Sequence, residues 1–154
     1  MILDGIKTLA HIGVCSELSW SYDISQFAEK PSESYFTEAG EHIIIEHARI
    51  QTVNEMRTCL AEGYPFVFGF SVYKSFESQE VAQTGIVQIP QSYEKHIGGH
   101  AVVAGYDDSQ KKFIVRNSWG KDWGMGGYFT IPYDYLGNDN LADDFWTIRI
   151  EKGF

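Results

Sequence analysis

Residues 98–129 read GGHAVVAGYDDSQKKFIVRNSWGKDWGMGGYF. Two β-rich runs, His100–Tyr106 and Lys112–Trp119, flank the polar stretch DDSQKK, which has the form of a hairpin loop. In such a hairpin His100 opens one strand and Asn117 closes the next, so both side chains come to the same end. An imidazole beside a carboxamide oxygen suits a thiol nucleophile. One ring nitrogen takes the thiol proton, and the other donates to the amide, which fixes tautomer and orientation. A neutral partner suffices, because a Cys–His pair supplies its own ion pair and a lowered thiol pKa. Trp119 would cover the His–Asn hydrogen bond against water. The spacing alone also suits a strand-end histidine and an unrelated turn asparagine.

The rest of the chain narrows the classes of function. Its 154 residues suit one domain, and 44% hydrophobic with 15% aromatic residues can build a core. Acidic residues number 21 against 12 basic, a net charge of −9. That balance argues against nucleic acid and against an anionic membrane surface as partners. No apolar run approaches the ~20 residues of a membrane-spanning helix. The start, MILDGIKTLAH, has neither the basic opening nor the long apolar core of a secretion signal, and the compartment is not legible. Two cysteines, Cys15 and Cys59, make no disulfide framework, and no CxxC or HExxH suggests a metal or another cofactor.

Along the chain, Ile2, Leu3, Ile6, Leu9 and Ala10 have helical spacing, with Gly13 as a stop. VCSELSWSYD reads as a packed turn leading into an acidic loop marked by Pro31. EHIIIEHARIQ reads as a strand with Ile43 and Ile45 on one face. Thr52 and Glu55 form a capping box for a helix from Val53 to about Glu62, ended by Gly63 and Pro65. Strands dominate afterwards: FVFGFSVY, GIVQI, the two hairpin runs, GYFTIPY and DFWTIRI. Helices first and an antiparallel meander afterwards predict an α+β fold. Gly120, Gly124, Gly126 and Gly127 read as tight turns, since no GxxxxGK[ST] marks a phosphate loop. Asp107–Asp108 and Asp143–Asp144 read as solvated loop residues.

GGHAVVAGYDD followed by NSWGKDWGMGGYF resembles the C-terminal part of the papain-like cysteine peptidases, and DGIKTLAHIGVCSELSWSYD is similar to their segment after the catalytic helix. The resemblance runs from about Leu3 to the C-terminus. It implies a two-lobed fold whose right lobe is an antiparallel half-barrel, here preceded by short helices. Residues from about 1 to 40 would then be a remnant of the left lobe, and those from about 41 to 154 the right lobe. It further implies His100 as general base, Asn117 as the residue orienting it and Trp119 as an indole shield.

Two departures bear on activity. The family's Gln…Gly-x-Cys segment has no match in these residues. Cys15 lies after the first matched helix, and Cys59, near Met56 and Leu60, reads as a core filler. HAVVAGY is also one residue shorter than usual, which bears on the packing of Tyr106 and the angle of His100. The expectation is a peptidase fragment, inactive alone, acting on peptide or protein substrates. Its lobe face would be covered by the missing left-lobe segment or by self-association. The alternatives are a non-catalytic peptide- or protein-binding module and a hydrolase using Cys15.

Overall fold

The computed structural model describes residues 1–105 and 109–152. The chain divides into two compact units. One holds Met1, Leu3–Ala48 and the end of the chain from Ile148; the other holds Ile2 and Arg49–Thr147. Strands β1 (Ile43–Arg49), β2 (Phe66–Tyr73), β3 (His96–Ala104), β4 (Lys112–Arg116), β5 (Tyr128–Pro132) and β6 (Ala142–Lys152) form a sheet in the order β1-β6-β2-β3-β4-β5. With short helices and an antiparallel sheet in which β2 to β5 run as a meander and β6 inserts between β1 and β2, the fold is α+β, as the element pattern predicts.

In the first unit, helix α1 (Ile2–His11) buries Ile6 and ends at Ile12, followed by Gly13 at φ +90. A Cβ on Gly13 would collide with the Ala39 carbonyl, so only glycine fits this turn. Ser16–Trp20 does turn, with the Ser19 and Trp20 amides donating to the Ser16 carbonyl. It is packed only in part: Leu18 is 97% exposed. The acidic stretch after Pro31 is helical, forming α2 (Glu33–Ala39) instead of an open loop. Tyr35 there meets Trp20 edge-on at 5.0 Å. Glu38 receives the Ser16 amide and the Ser19 hydroxyl at 2.9 and 3.0 Å. These bonds, that from Ser16 first, hold its carboxyl below the ordinary value. Strand β1 (Ile43–Arg49) reverses the expected face: Ile44 is buried and Ile45 is 57% exposed. Three successive isoleucines cannot declare which parity faces inward.

The second unit carries the main core. Strand β2 (Phe66–Tyr73) alternates strictly, with Phe66, Phe68, Phe70 and Val72 inward. It lies between β3 (His96–Ala104) and β6 (Ala142–Lys152), antiparallel to both. Strands β4 (Lys112–Arg116) and β5 (Tyr128–Pro132) continue the sheet, again antiparallel. GIVQI is not a strand: it makes one parallel bridge, Ile86 to Thr130. Asp143 and Asp144 lie in β6, not in a loop. Asp144 sits at φ 56 where the β2–β6 register shifts, and it accepts the Trp146 indole N–H at 2.7 Å. The short helices α4 (Gln79–Thr84) and α5 (Tyr133–Leu136) complete the unit. In α5, Tyr135 donates its hydroxyl to the Ser71 carbonyl at 2.7 Å, and burial pushes its phenol pKa upward. No helix among the described residues is long and apolar enough to cross a membrane.

Helix α3 (Val53–Ala61) has the expected capping box: the Glu55 amide donates to Thr52 Oγ1 at 3.2 Å, and the Glu55 carboxylate receives the Thr52 amide at 3.1 Å. Met56 and Cys59 drive its packing, both essentially inaccessible. Thr52→Ala should therefore lower stability by about 1 kcal/mol in urea unfolding, with Thr52→Ser close to the parent. No change for the alanine variant would mean that the box contributes nothing to the helix.

Candidate active site

His100 is mid-strand, not the first residue of its strand, because β3 already begins at His96. It pairs with Phe70 of β2. Asn117 lies immediately after β4. The β3–β4 ladder has only two pairs, Val103 with Arg116 and Ala104 with Val115. Past them the Asn117 amide turns away from β3 and donates to the Gly127 carbonyl at 2.9 Å. This parting lets the two side chains meet although they are not register partners. His100 Nε2 stands 2.8 Å from Asn117 Oδ1.

The proton on that bond can be assigned. The Ser118 backbone N–H donates to the same Oδ1 at 2.8 Å, which identifies the atom as the amide oxygen. An oxygen can only accept, so the imidazole donates through Nε2–H. Nδ1 then carries the lone pair and makes no hydrogen bond among the described residues. Asn117 is 8% exposed, so water competes poorly for this bond; its buried Nδ2 has no partner among the described residues.

Aromatic rings hold the imidazole. Trp119 stacks on it at 5.2 Å between centroids, 21° from parallel. Phe70 and Phe76 approach at 5.8 and 6.4 Å. Phe76 and Trp123 in turn meet Trp119 edge-on or nearly so, at 5.4 and 5.2 Å. The three residues singled out in the sequence thus converge. Phe76 and Trp123 escaped that reading: nothing in FESQE or KDWGM links either to the histidine before the chain is folded.

The segment between Asn117 and β5 is shaped by glycine. Gly120, Gly124, Gly126 and Gly127 all have positive φ, as expected of tight turns. Gly124 also lets the backbone close in, since a Cβ there would strike the Tyr128 carbonyl. Its amide donates to the Ala82 carbonyl at 2.7 Å, tying the tryptophan-bearing loop to α4.

Of the two thiols, Cys59 is core material, 1% exposed and donating to the Tyr64 carbonyl at 3.3 Å. Cys15 is half-buried in the first unit. No group of three or more His, Cys, Asp or Glu side chains that could hold a metal ion occurs among the described residues. Tyr106, Asp107 and Asp108 lie outside the described residues. The arrangement is a proton acceptor of fixed tautomer, braced by an amide and roofed by an indole.

Comparison with known proteins gives the family. Residues 4–145 match the family described as Papain family cysteine protease. The chain is 46% identical over 158 residues to the uncharacterized peptidase C1-like protein L477 of Acanthamoeba polyphaga mimivirus, covering 96% of this chain and 51% of that protein. It is also 43% identical over 76 residues to Cathepsin B-like CP3 of Giardia intestinalis, covering 47% of this chain and 24% of that one. Among solved structures, xylellain, a cysteine protease from Xylella fastidiosa, superposes with a TM-score of 0.88 at 40% identity, over 97% of this chain and 61% of its own. The chain thus spans about half the length of L477. A match over nearly all its residues, with the neighbours' fold, makes it a member of the papain family of cysteine proteases.

Proposed function

We propose that these residues carry the proton-transfer half of a Cys–His–Asn peptidase site, with the nucleophilic thiol supplied by a part of the protein outside residues 1–154. His100 Nδ1 takes the thiol proton, and the resulting imidazolium is steadied by the Nε2–H bond to Asn117. The thiolate attacks the peptide carbonyl to give a tetrahedral adduct. Its collapse forms a thioester, and the leaving amine takes the proton back from Nδ1. Water, deprotonated by the same nitrogen, then hydrolyses the thioester. Trp119 shields the Nε2–H bond throughout. The observation that carries this reading is the 2.8 Å contact between Nε2 and an oxygen already identified by the Ser118 amide.

The same reading assigns residues from about 1 to 40 to a remnant of the left lobe and those from about 41 to 154 to the right lobe. The substrate is a peptide or protein. Exposed apolar side chains of the first unit, Leu18 at 97% and Phe27 at 85%, are then covered by the remainder of the protein or by a second copy.

Alone, the chain should show no turnover of fluorogenic peptides, since losing the nucleophile of a comparable triad costs about 10⁶-fold. Mixing it with the part of xylellain that has no counterpart here should restore cleavage, sensitive to iodoacetamide. An inert mixture whose two parts co-sediment would defeat the proposal. Turnover by the chain alone that disappears in Cys15→Ser would assign the thiol to Cys15 instead.

A further inference from the structure

A second concavity shares a wall with this site. Phe76, whose ring packs against Trp119, also lines a cavity of about 270 Å³ between α4 and the strap that follows it. Small-molecule sites run about 300–1,000 Å³, so this cavity accommodates roughly one side chain. Its apolar lining is Phe76, Val81 and Val87, all buried. The strap is pinned: the Val87 amide donates to the Thr130 carbonyl at 2.9 Å, and the Thr130 amide donates to Gly85 at 2.7 Å. The pocket is therefore preformed and need not be opened by a ligand.

Its polar rim has one sign. Glu80 is the one charged residue lining the cavity; no lysine or arginine does. The hydroxyls nearby are already engaged: Ser78 Oγ accepts from Val81, and Thr84 Oγ1 donates to the Glu80 carbonyl. The Glu80 carboxylate makes no hydrogen bond or ion pair among the described residues, and neither does the Gln88 amide. An apolar lining with one unpaired acidic residue beside it suits a side chain with an aliphatic stem and a cationic tip.

Resting on the peptidase reading above, we infer that this cavity receives a lysine or arginine side chain of the peptide bound at the His100 site. The stem crosses Phe76, Val81 and Val87, and the cationic head meets Glu80. Because Glu80 is solvent-exposed, the selectivity is modest and sensitive to salt.

Binding to the 154-residue chain tests this without any turnover. The probes are two capped peptides, Ac-Ala-Lys-Ala-NH₂ and its norleucine counterpart, followed through the methyl resonances of Val81 and Val87. The lysine peptide should bind about fivefold more tightly at low salt, with the preference gone at 0.5 M salt and in Glu80→Gln. Equal affinities, a preference that survives Glu80→Gln, or no response of either valine up to millimolar peptide would each overturn the inference. A retained lysine preference beside a failed xylellain mixture would condemn only the peptidase reading. A working mixture without the preference would condemn only the pocket.

Discussion

His100→Ala should abolish cleavage by the completed site, lowering kcat by about 10⁶-fold, as removal of the base does in comparable triads. The imidazole is the group in the cluster placed to take a proton and return it through Nδ1. Asn117→Ala should cost far less, about 10²-fold, because the base survives and only its orientation is lost. Combining the two should be no worse than His100→Ala alone: Asn117 acts through the imidazole, so its contribution vanishes with it. That non-additivity is the readout a merely structural asparagine would not produce. Independent, multiplying effects would show that Asn117 does something besides holding His100. Activity of His100→Ala within tenfold of the parent would remove the imidazole from the mechanism.

The His–Asn pair was legible because its two elements are short and adjacent in sequence. A hairpin cannot avoid bringing its outer ends close, and NSWG marks the end of one strand. FVFGFSVY was legible as a strand from its composition; that Phe66, Phe68 and Phe70 turn to the core is seen in the fold. What failed did so for physical reasons. HIGG precedes the β-rich HAVVA, and paired glycines carry little strand preference, so the early start of β3 was hidden. GIVQI has strand composition, yet the chain there is recruited as a strap by two backbone bonds to Thr130. Helix α2 is seven residues long and mostly polar, held by contacts such as Trp20 with Tyr35. Phe76 and Trp123 reach the site only through tertiary packing, which no local spacing encodes.

Core and site also share one side chain, and its removal should be the most damaging packing change. Phe70 is 3% exposed and lies in ring contact with Phe68, Phe76, Phe129, Tyr135 and His100, all between 5.2 and 6.2 Å. Its backbone is fixed on both sides, opposite His100 on β3 and Ala142 on β6, so the strand cannot move in to fill a void. Phe70→Ala should then cost about 3–5 kcal/mol in urea unfolding, the range for aromatic truncation in a core that cannot collapse. Against a typical total of about 5–15 kcal/mol, that is enough to leave the variant marginal at 37 °C. Phe70→Leu should retain most of the stability. The imidazole would report the same event: with one of its supporting rings gone, its proton resonances and the Trp119 fluorescence should shift in Phe70→Ala. They should stay near the parent in Thr52→Ala, a destabilised variant distant in packing from the ring cluster. A loss below about 1 kcal/mol would mean that the neighbouring rings re-pack into the space, and that the wall behind His100 is softer than its five contacts imply.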